Sequence, residues 1–265
     1  MQLTVACIQF KTVPGKKEEN LNKMASLLKD AVEQKTKFVV FPEIAIQGIL
    51  PSYDEDKLAE QIPGPSTLIL KDLAKENNVY IAAGIVERSQ DSSLLYNSSV
   101  LISPQGEIMG VYRKVHLWNK EKEWATPGTT YPVFNTEYGK VGMWICYDTR
   151  FPEVARSYAL QGAAIVLVPI AWLDKHIEDW IFCARARSMD NAIFVCGADH
   201  IHSSKYHNSC GISIITDPYG NILAKGIKYK EGIITATLHL DQVKKRRQLI
   251  PLLKDRKPET YSLLA

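Results

Sequence analysis

Glu76-Asn77-Asn78-Val79-Tyr80-Ile81 and Asp190-Asn191-Ala192-Ile193-Phe194-Val195 lie 114 positions apart and read alike. Each passes from the polar end of a helix into a short apolar strand. At the same offset Pro104-Gln105-Gly106-Glu107-Ile108 lies over Pro218-Tyr219-Gly220-Asn221-Ile222, so the register holds for more than thirty residues. The strand ends Val40-Phe41-Pro42 and Leu167-Val168-Pro169 match at an offset of 127, which leaves about a dozen extra residues in the first half, between Pro42 and Glu76. The chain is one unit built twice.

Outward from these anchors, strands and helices alternate. The first half reads as a strand over 3–10, an amphipathic helix over 17–34, a buried strand over 37–41, a helix over 66–77, a strand over 79–86 and a hairpin across 103–106. The second half repeats the order: strand 140–145, helix 152–161, strand 164–168, helix 176–190, strand 193–198 and a hairpin across 217–220. Residues 201–208 read as a loop. The pattern predicts an α/β fold, a four-layer αββα sandwich with two internally duplicated halves. No Pro-, Gly- or Ser-rich linker separates the halves, so residues 1–265 form a single domain. Its tail from about 250 carries Leu252, Leu253, Tyr261, Leu263 and Leu264, and is expected at an oligomer contact.

Composition excludes other classes. Of 265 residues, 46% are hydrophobic and 23% charged, which is neither a disordered nor a collagenous composition. The longest apolar runs, 163–172 among them, reach about half of a ~20-residue membrane span, so no membrane association is expected. Residues 1–6 read straight into a strand without a charged leader, which predicts a cytoplasmic protein. Net charge is +3, and the one dense basic cluster, Lys244-Lys245-Arg246-Arg247, reads as the solvated face of a C-terminal helix; no nucleic-acid partner is expected. The five cysteines, Cys7, Cys146, Cys183, Cys196 and Cys210, are odd in number and show no C-x-x-C pattern, which argues against disulfide or zinc frameworks.

In α/β sheets, reactive groups collect just past the carboxyl ends of strands. Glu43 holds such a place after Phe38-Val39-Val40-Phe41-Pro42, Lys114 after the first hairpin, and Cys146 after Val141-Gly142-Met143-Trp144-Ile145. Alone, each has a plain reading: a capping or surface carboxylate, a solvated lysine, a buried core cysteine. A helix opening at Pro152-Glu153 and a nearby lysine are both expected to lower the Cys146 pKa.

Together, Phe41-Pro42-Glu43, Tyr112-Arg113-Lys114-Val115-His116-Leu117 and Cys146-Tyr147-Asp148-Thr149-Arg150-Phe151-Pro152-Glu153 resemble the nitrilase superfamily of carbon–nitrogen hydrolases. Pro127-Gly128 and Arg185-Ala186-Arg187-Ser188-Met189-Asp190-Asn191 extend the match over about 3–240, with Asp190 where the family usually has Glu. The resemblance implies an αββα sandwich joined into a homodimer or higher homo-oligomer. It further implies Cys146 as nucleophile, Glu43 as general base and Lys114 as the third triad member. Glu121 matches the family's second glutamate, with Glu123 the alternative. No cofactor and no metal are implied. A thiolate forms a thioester from an amide, a carboxylate moves the proton, and a fixed ammonium stabilises the oxyanion.

The resemblance implies a thiol amidohydrolase that releases ammonia from a small linear amide. True nitrilases usually place Trp-Glu after the nucleophile, where this chain has Tyr147-Asp148, so an amidase or an N-carbamoyl hydrolase is favoured over nitrile hydrolysis. Arg150 reads either as a fork for a substrate carboxylate, which suggests an ω-amide of a dicarboxylic acid, or as a partner of Glu153 or Asp148 that holds the turn. Tyr147, Trp172 and His200 complete the expected substrate-binding wall. His200, His202 and His207 raise a metal hydrolase as a rival, yet Asp199 would point to the opposite face of a strand, and the histidines read better as a polar wall of the mouth. A non-catalytic binding module is the second rival; its mark, a lost triad residue, is missing from this sequence.

Overall fold

The computed structural model describes residues 1–50, 55–204 and 207–261. The first half contains β1 (Gln2–Lys11), α1 (Lys17–Glu33), β2 (Phe38–Val40), a single turn α2 (Glu55–Leu58), α3 (Pro65–Asn77), β3 (Tyr80–Arg88), β4 (Leu95–Ile102) and β5 (Ile108–Arg113). The second contains β6 (Val133–Thr136), β7 (Gly139–Met143), α4 (Pro152–Leu160), β8 (Ile165–Ile170), α5 (Ile177–Asn191), β9 (Phe194–Ser203), β10 (Asn208–Cys210), β11 (Ile214–Thr216), β12 (Ile222–Lys225), β13 (Gly232–His239) and α6 (Asp241–Leu249).

The duplication is exact at the level of strand register. Phe38 faces Tyr80 in the first half and Ile165 faces Phe194 in the second, at the offsets of 127 and 114 read from the sequence. Val5 faces Phe38 as Val141 faces Ile165. The helix ends match as well: Asn78 and Ala192 close α3 and α5 in the same left-handed conformation, at φ 53° and 49°. Ser103 and Asp217 open equivalent turns, and each accepts from a glycine amide three residues on, Gly106 and Gly220, at 2.9 Å.

One sheet runs β5-β4-β3-β2-β1-β13 and the other β6-β7-β8-β9-β11-β12. They meet at a corner, where Phe10 and Lys11 of β1 pair with His200 and Ile201 of β9. Alternation along β1 sorts its side chains between layers. Val5 and Cys7 join the core shared with the second sheet, including Leu167 and Cys196. Ala6, Ile8 and Phe10 face Leu21, Met24 and Leu28 of α1 and Leu70 of α3. On α1 these positions recur every three or four residues and form one buried stripe. Val154 and Tyr158 of α4 and Trp180 of α5 cover the second sheet. The expected four-layer sandwich is the observed architecture.

Two readings change. Residues 201–208 are not one loop: β9 runs on through Ser203, and β10 turns back antiparallel against it. The tail, expected at an oligomer contact, also packs in part on its own chain: Leu253 lies against the core while Ile250 and Leu252 stay exposed; Leu263 and Leu264 lie outside the described residues. In the basic cluster, Lys244 and Lys245 are exposed, whereas Arg247 donates to the Ala163 carbonyl at 2.8 Å and Arg246 stacks over Tyr219.

Candidate active site

The carboxyl ends of β2, β5 and β7 bring Glu43, Lys114 and Cys146 together, and all three border one cavity. Lys114 Nζ donates to Glu43 Oε1 at 2.7 Å and to Glu121 Oε2 at 2.8 Å. Asn97, on β4 beside the lysine, donates its amide to Glu43 Oε1 at 2.7 Å and also to Glu121 Oε1. The Cys146 thiol is hydrogen-bonded to the Glu43 carboxylate and to the Ala171 backbone. Glu123 is exposed and takes no part.

The backbone is built to hold these groups. Asn97 O accepts from Lys114 N, and Lys114 O accepts from Gly128 N, each at 2.8 Å. Any side chain at Gly128 would run into the Arg113 carbonyl, which explains the Pro127-Gly128 pair. Cys146 sits at φ 44°, in the left-handed region that non-glycine residues avoid. The turn is pinned by Asp148, wholly buried, which accepts from Ile145 N at 3.0 Å, Tyr112 Oη at 2.7 Å and His116 N at 2.9 Å. Arg187 of α5 completes the clamp by donating to the Thr149 and Arg150 carbonyls, both at 3.0 Å.

A family model described as carbon-nitrogen hydrolase matches residues 4–248. The chain belongs to the carbon–nitrogen hydrolase family. It is 34% identical to a probable nitrilase of Schizosaccharomyces pombe, with 100% of this chain and 99% of the relative covered. It is 33% identical to the ω-amidase NIT2 of Mus musculus, over 98% of this chain and 96% of that one. Among solved structures, Nit3 of Saccharomyces cerevisiae, a member of branch 10 of the nitrilase superfamily, superposes with a TM-score of 0.89 at 30% identity, covering 97% of both chains.

The electrostatics of this carbon–nitrogen hydrolase site set the resting protonation states. Burial raises the Glu43 pKa, but the charge and hydrogen bond of Lys114, with Asn97, hold it below the usual carboxylate range. Glu121 goes the other way: burial and the neighbouring Glu43 charge raise it against the pull of Lys114. Lys114 stays charged, since the two carboxylates outweigh its burial. The Cys146 thiol is pushed well up, first by burial and then by the Glu43 carboxylate, with Lys114 only partly opposing. The expected lowering of its pKa is therefore overturned, because burial and then the Glu43 carboxylate outweigh the ammonium.

The cavity has two lobes, which share Trp118, Cys146, Ala171, Leu173 and His207. Tyr147, Arg150 and Trp172 line the smaller lobe, as expected. Arg150 does not pair with Asp148 or Glu153; it donates to Asp179 Oδ2 at 2.7 Å and lies over the Trp172 ring at 4.9 Å. His200 does not reach the mouth. It is fully buried, stacks on Phe10 and contacts the Glu43 carbonyl through Nε2, so it supports the strand end from below. Burial pushes its pKa down to about 3, so it adds no positive charge to the pocket. Asp199 accepts from Trp172 N and Ile212 N, both at 3.0 Å. Among the described residues, no group of three or more His, Cys, Asp or Glu side chains is placed to hold a metal ion.

Asn97 escaped the sequence reading. Its signal is weak but present: Asn97-Ser98-Ser99 is a polar run inside a strand whose every residue is buried, and buried polar groups demand partners. Of the other four cysteines, Cys7, Cys196 and Cys210 are buried and Cys183 is half-buried.

Proposed function

We propose that this carbon–nitrogen hydrolase cleaves the ω-amide of a short dicarboxylic acid through a thioester on Cys146 and releases ammonia. The observation that carries the reading is the Glu43–Lys114–Cys146 cluster opening into a lobe whose wall bears Arg150. Relatives named ω-amidase, such as that of Mus musculus, support the same substrate class.

At rest, Glu43 is ionised and the Cys146 thiol protonated, the state from which a general base acts. As Sγ attacks the amide carbon, the thiol proton passes to Glu43. Lys114 donates to Glu43 Oε1 at 2.7 Å and to Glu121 Oε2 at 2.8 Å and Oε1 at 3.1 Å, and giving up the longest of these contacts supplies an N–H to the oxyanion. A donor of this kind is worth roughly 3–4 kcal/mol in the transition state. Glu43 then returns the proton to the amide nitrogen, the C–N bond breaks and ammonia leaves. Glu43 next takes a proton from water, hydroxide adds to the thioester, and the acid departs as the thiol re-forms. Glu121 and Asn97 keep Lys114 and Glu43 in place. Arg150 receives the distal carboxylate while Asp179 and Trp172 hold its fork.

The five free cysteines, one of them required as a thiol, support a reducing cytoplasmic setting. Exposed Leu160 on α4, Phe182 and Met189 on α5, and Ile250 and Leu252 in the tail support burial against a second copy of the chain. A mass above the 29.8 kDa of one chain by light scattering tests that part.

The activity is tested by ammonia release over monoamides of dicarboxylic acids, neutral aliphatic amides, N-carbamoyl amino acids and nitriles, with carbon dioxide measured in parallel. Dicarboxylic monoamides should be turned over fastest, without carbon dioxide. Faster release of both gases from N-carbamoyl amino acids would replace the reading with a carbamoylase.

A further inference from the structure

Asp199 is wholly buried near the middle of β9, and its carboxylate is held by neutral donors from three segments. Oδ1 accepts from Trp172 N at 3.0 Å and from Ser209 Oγ at 3.1 Å, and Oδ2 accepts from Ile212 N at 3.0 Å. A carboxylate buried among neutral donors is costly, and the duplication shows that the fold does not demand one here. At the offset of 114, Asp199 corresponds to Ile85 of β3, equally buried and apolar.

What the carboxylate holds is the segment beside the nucleophile. The ladder between β8 and β9 ends at the pair Ile170 and Asp199, and beyond it the Asp199 side chain takes the Trp172 N–H in place of a strand partner. One residue earlier, Ala171 borders both lobes together with Cys146, and its backbone is hydrogen-bonded to the thiol. That bond pulls the thiol pKa down against burial, which marks the Ala171 N–H as the donor, because a donor favours the charged form of the acid it bonds. Lys114 spends its charge on Glu43 and Glu121, so a backbone donor aimed at the sulfur matters more.

We propose that Asp199 is a positioning residue for the nucleophile: by fixing Trp172 N it holds the preceding Ala171 N–H on Cys146 Sγ, where that donor stabilises the thiolate as its proton passes to Glu43. The role goes beyond the substrate reading and applies to any amide the site cleaves.

The test reads the thiol directly. Iodoacetamide labelling of Cys146 is followed from about pH 8 to 10 by peptide mass mapping in wild type, Asp199→Ile and Asp199→Asn, with half-buried Cys183 as reference. Burial raises the Asp199 pKa to about 7, so wild type carries the carboxylate throughout this range. In Asp199→Ile, which copies the first half, Cys146 should label about threefold more slowly and its profile should shift to higher pH: about tenfold less thiolate is offset in part by its greater nucleophilicity. Asp199→Asn, which keeps one acceptor, should fall between. A purely structural role predicts the opposite sign, since a loosened core exposes thiols, and Cys146 would label faster together with Cys183 and the buried Cys7 and Cys196. An unchanged or faster Cys146 rate in Asp199→Ile overturns the proposal; should that variant not fold, Asp199→Asn decides by the same criterion. No substrate enters the measurement, so its outcome is independent of the ω-amide reading.

Discussion

Replacing Glu43 by Gln should separate two properties usually lost together, turnover and the reactivity of Cys146. The thiol is held protonated by burial and by the Glu43 carboxylate against it, with Lys114 opposing. Gln keeps the shape and an oxygen for Lys114 but removes the negative charge, while Lys114 keeps Glu121 at 2.8 Å. The thiolate should gain at neutral pH. Unit charges about 4 Å apart interact by roughly 4 kcal/mol at an effective dielectric of ~20. Lys114 at 2.7 Å already cancels much of the Glu43 charge, so about a third of that figure is taken, on the order of 1.4 kcal/mol or tenfold in thiolate. Nucleophilicity falls as pKa falls, with a slope of about 0.4–0.5, which leaves roughly a threefold gain in alkylation rate. The assay is iodoacetamide labelling at pH 7 followed by peptide mass mapping, with half-buried Cys183 as internal reference. Cys146 should label about three times faster in Glu43→Gln than in wild type, while turnover drops by about 10² or more. Slower labelling in the variant, with Cys183 unchanged, would mean that the carboxylate activates the thiol at rest, and the electrostatic argument fails.

Arg150→Gln should cut kcat/KM for a dicarboxylic monoamide by about 10–150-fold, the worth of a charged hydrogen bond, and spare a neutral amide of equal length; equal losses on both would make Arg150 a prop for Asp179 and Trp172 alone. Asn97→Ala, which unties Glu43 from Glu121, should lower kcat by about tenfold with KM nearly constant, and an unaltered kcat in steady-state kinetics would remove Asn97 from the site. Burial pushes the His200 pKa down to about 3, so it stays neutral in the fold, whereas in the unfolded chain it protonates below the ordinary histidine value of 6.5. Its contribution to stability is therefore complete above pH 6.5 and lost as the pH falls toward 3, at about 1.4 kcal/mol per pH unit. Asp199, raised to about 7, works in the opposite sense, so the check is the difference in Tm slope between wild type and His200→Phe from pH 6.5 to 4.5, and identical slopes would refute it.

What the sequence revealed follows from how far each interaction reaches. The offset between Glu76-Asn77-Asn78 and Asp190-Asn191-Ala192 is a local, repeated pattern, so the duplication, and with it the layers, was readable. Glu43, Lys114, Cys146 and Glu121 were readable because each sits in its own short motif. Pairings between distant segments were not. Nothing near Arg150 in the chain points to Asp179, which is one turn into α5, and nothing in Ile201-His202-Ser203 shows that β9 extends because β10 returns to pair with it. The Cys146 pKa was misjudged for the same reason: burial and then the Glu43 carboxylate raise it, and both arise from segments distant in the chain.

The duplicated scaffold carries its chemistry only once, and the matched registers show why. The position equivalent to Glu43 is Ile170, and the two abut, with Glu43 N donating to the Ile170 carbonyl at 3.4 Å. The equivalent of Lys114 is Lys228, which lies at the surface against Asp174 at 2.8 Å. The equivalent of Cys146 is Phe10, packed on His200. The backbone thus prepares two sets of strand ends, yet only one set buries charged groups. Burying an ion costs several kcal/mol even after relaxation, and a buried pair rarely returns more than that. Lys114, Glu43 and Glu121 place three ionisable groups in the interior, a cost that selection tolerates where the groups do chemistry. The other set buries apolar side chains instead, Ile170 at the end of β8 and Phe10 near the end of β1. Beside that apolar set Glu43 is fixed through its carbonyl by His200 and through its amide by Ile170.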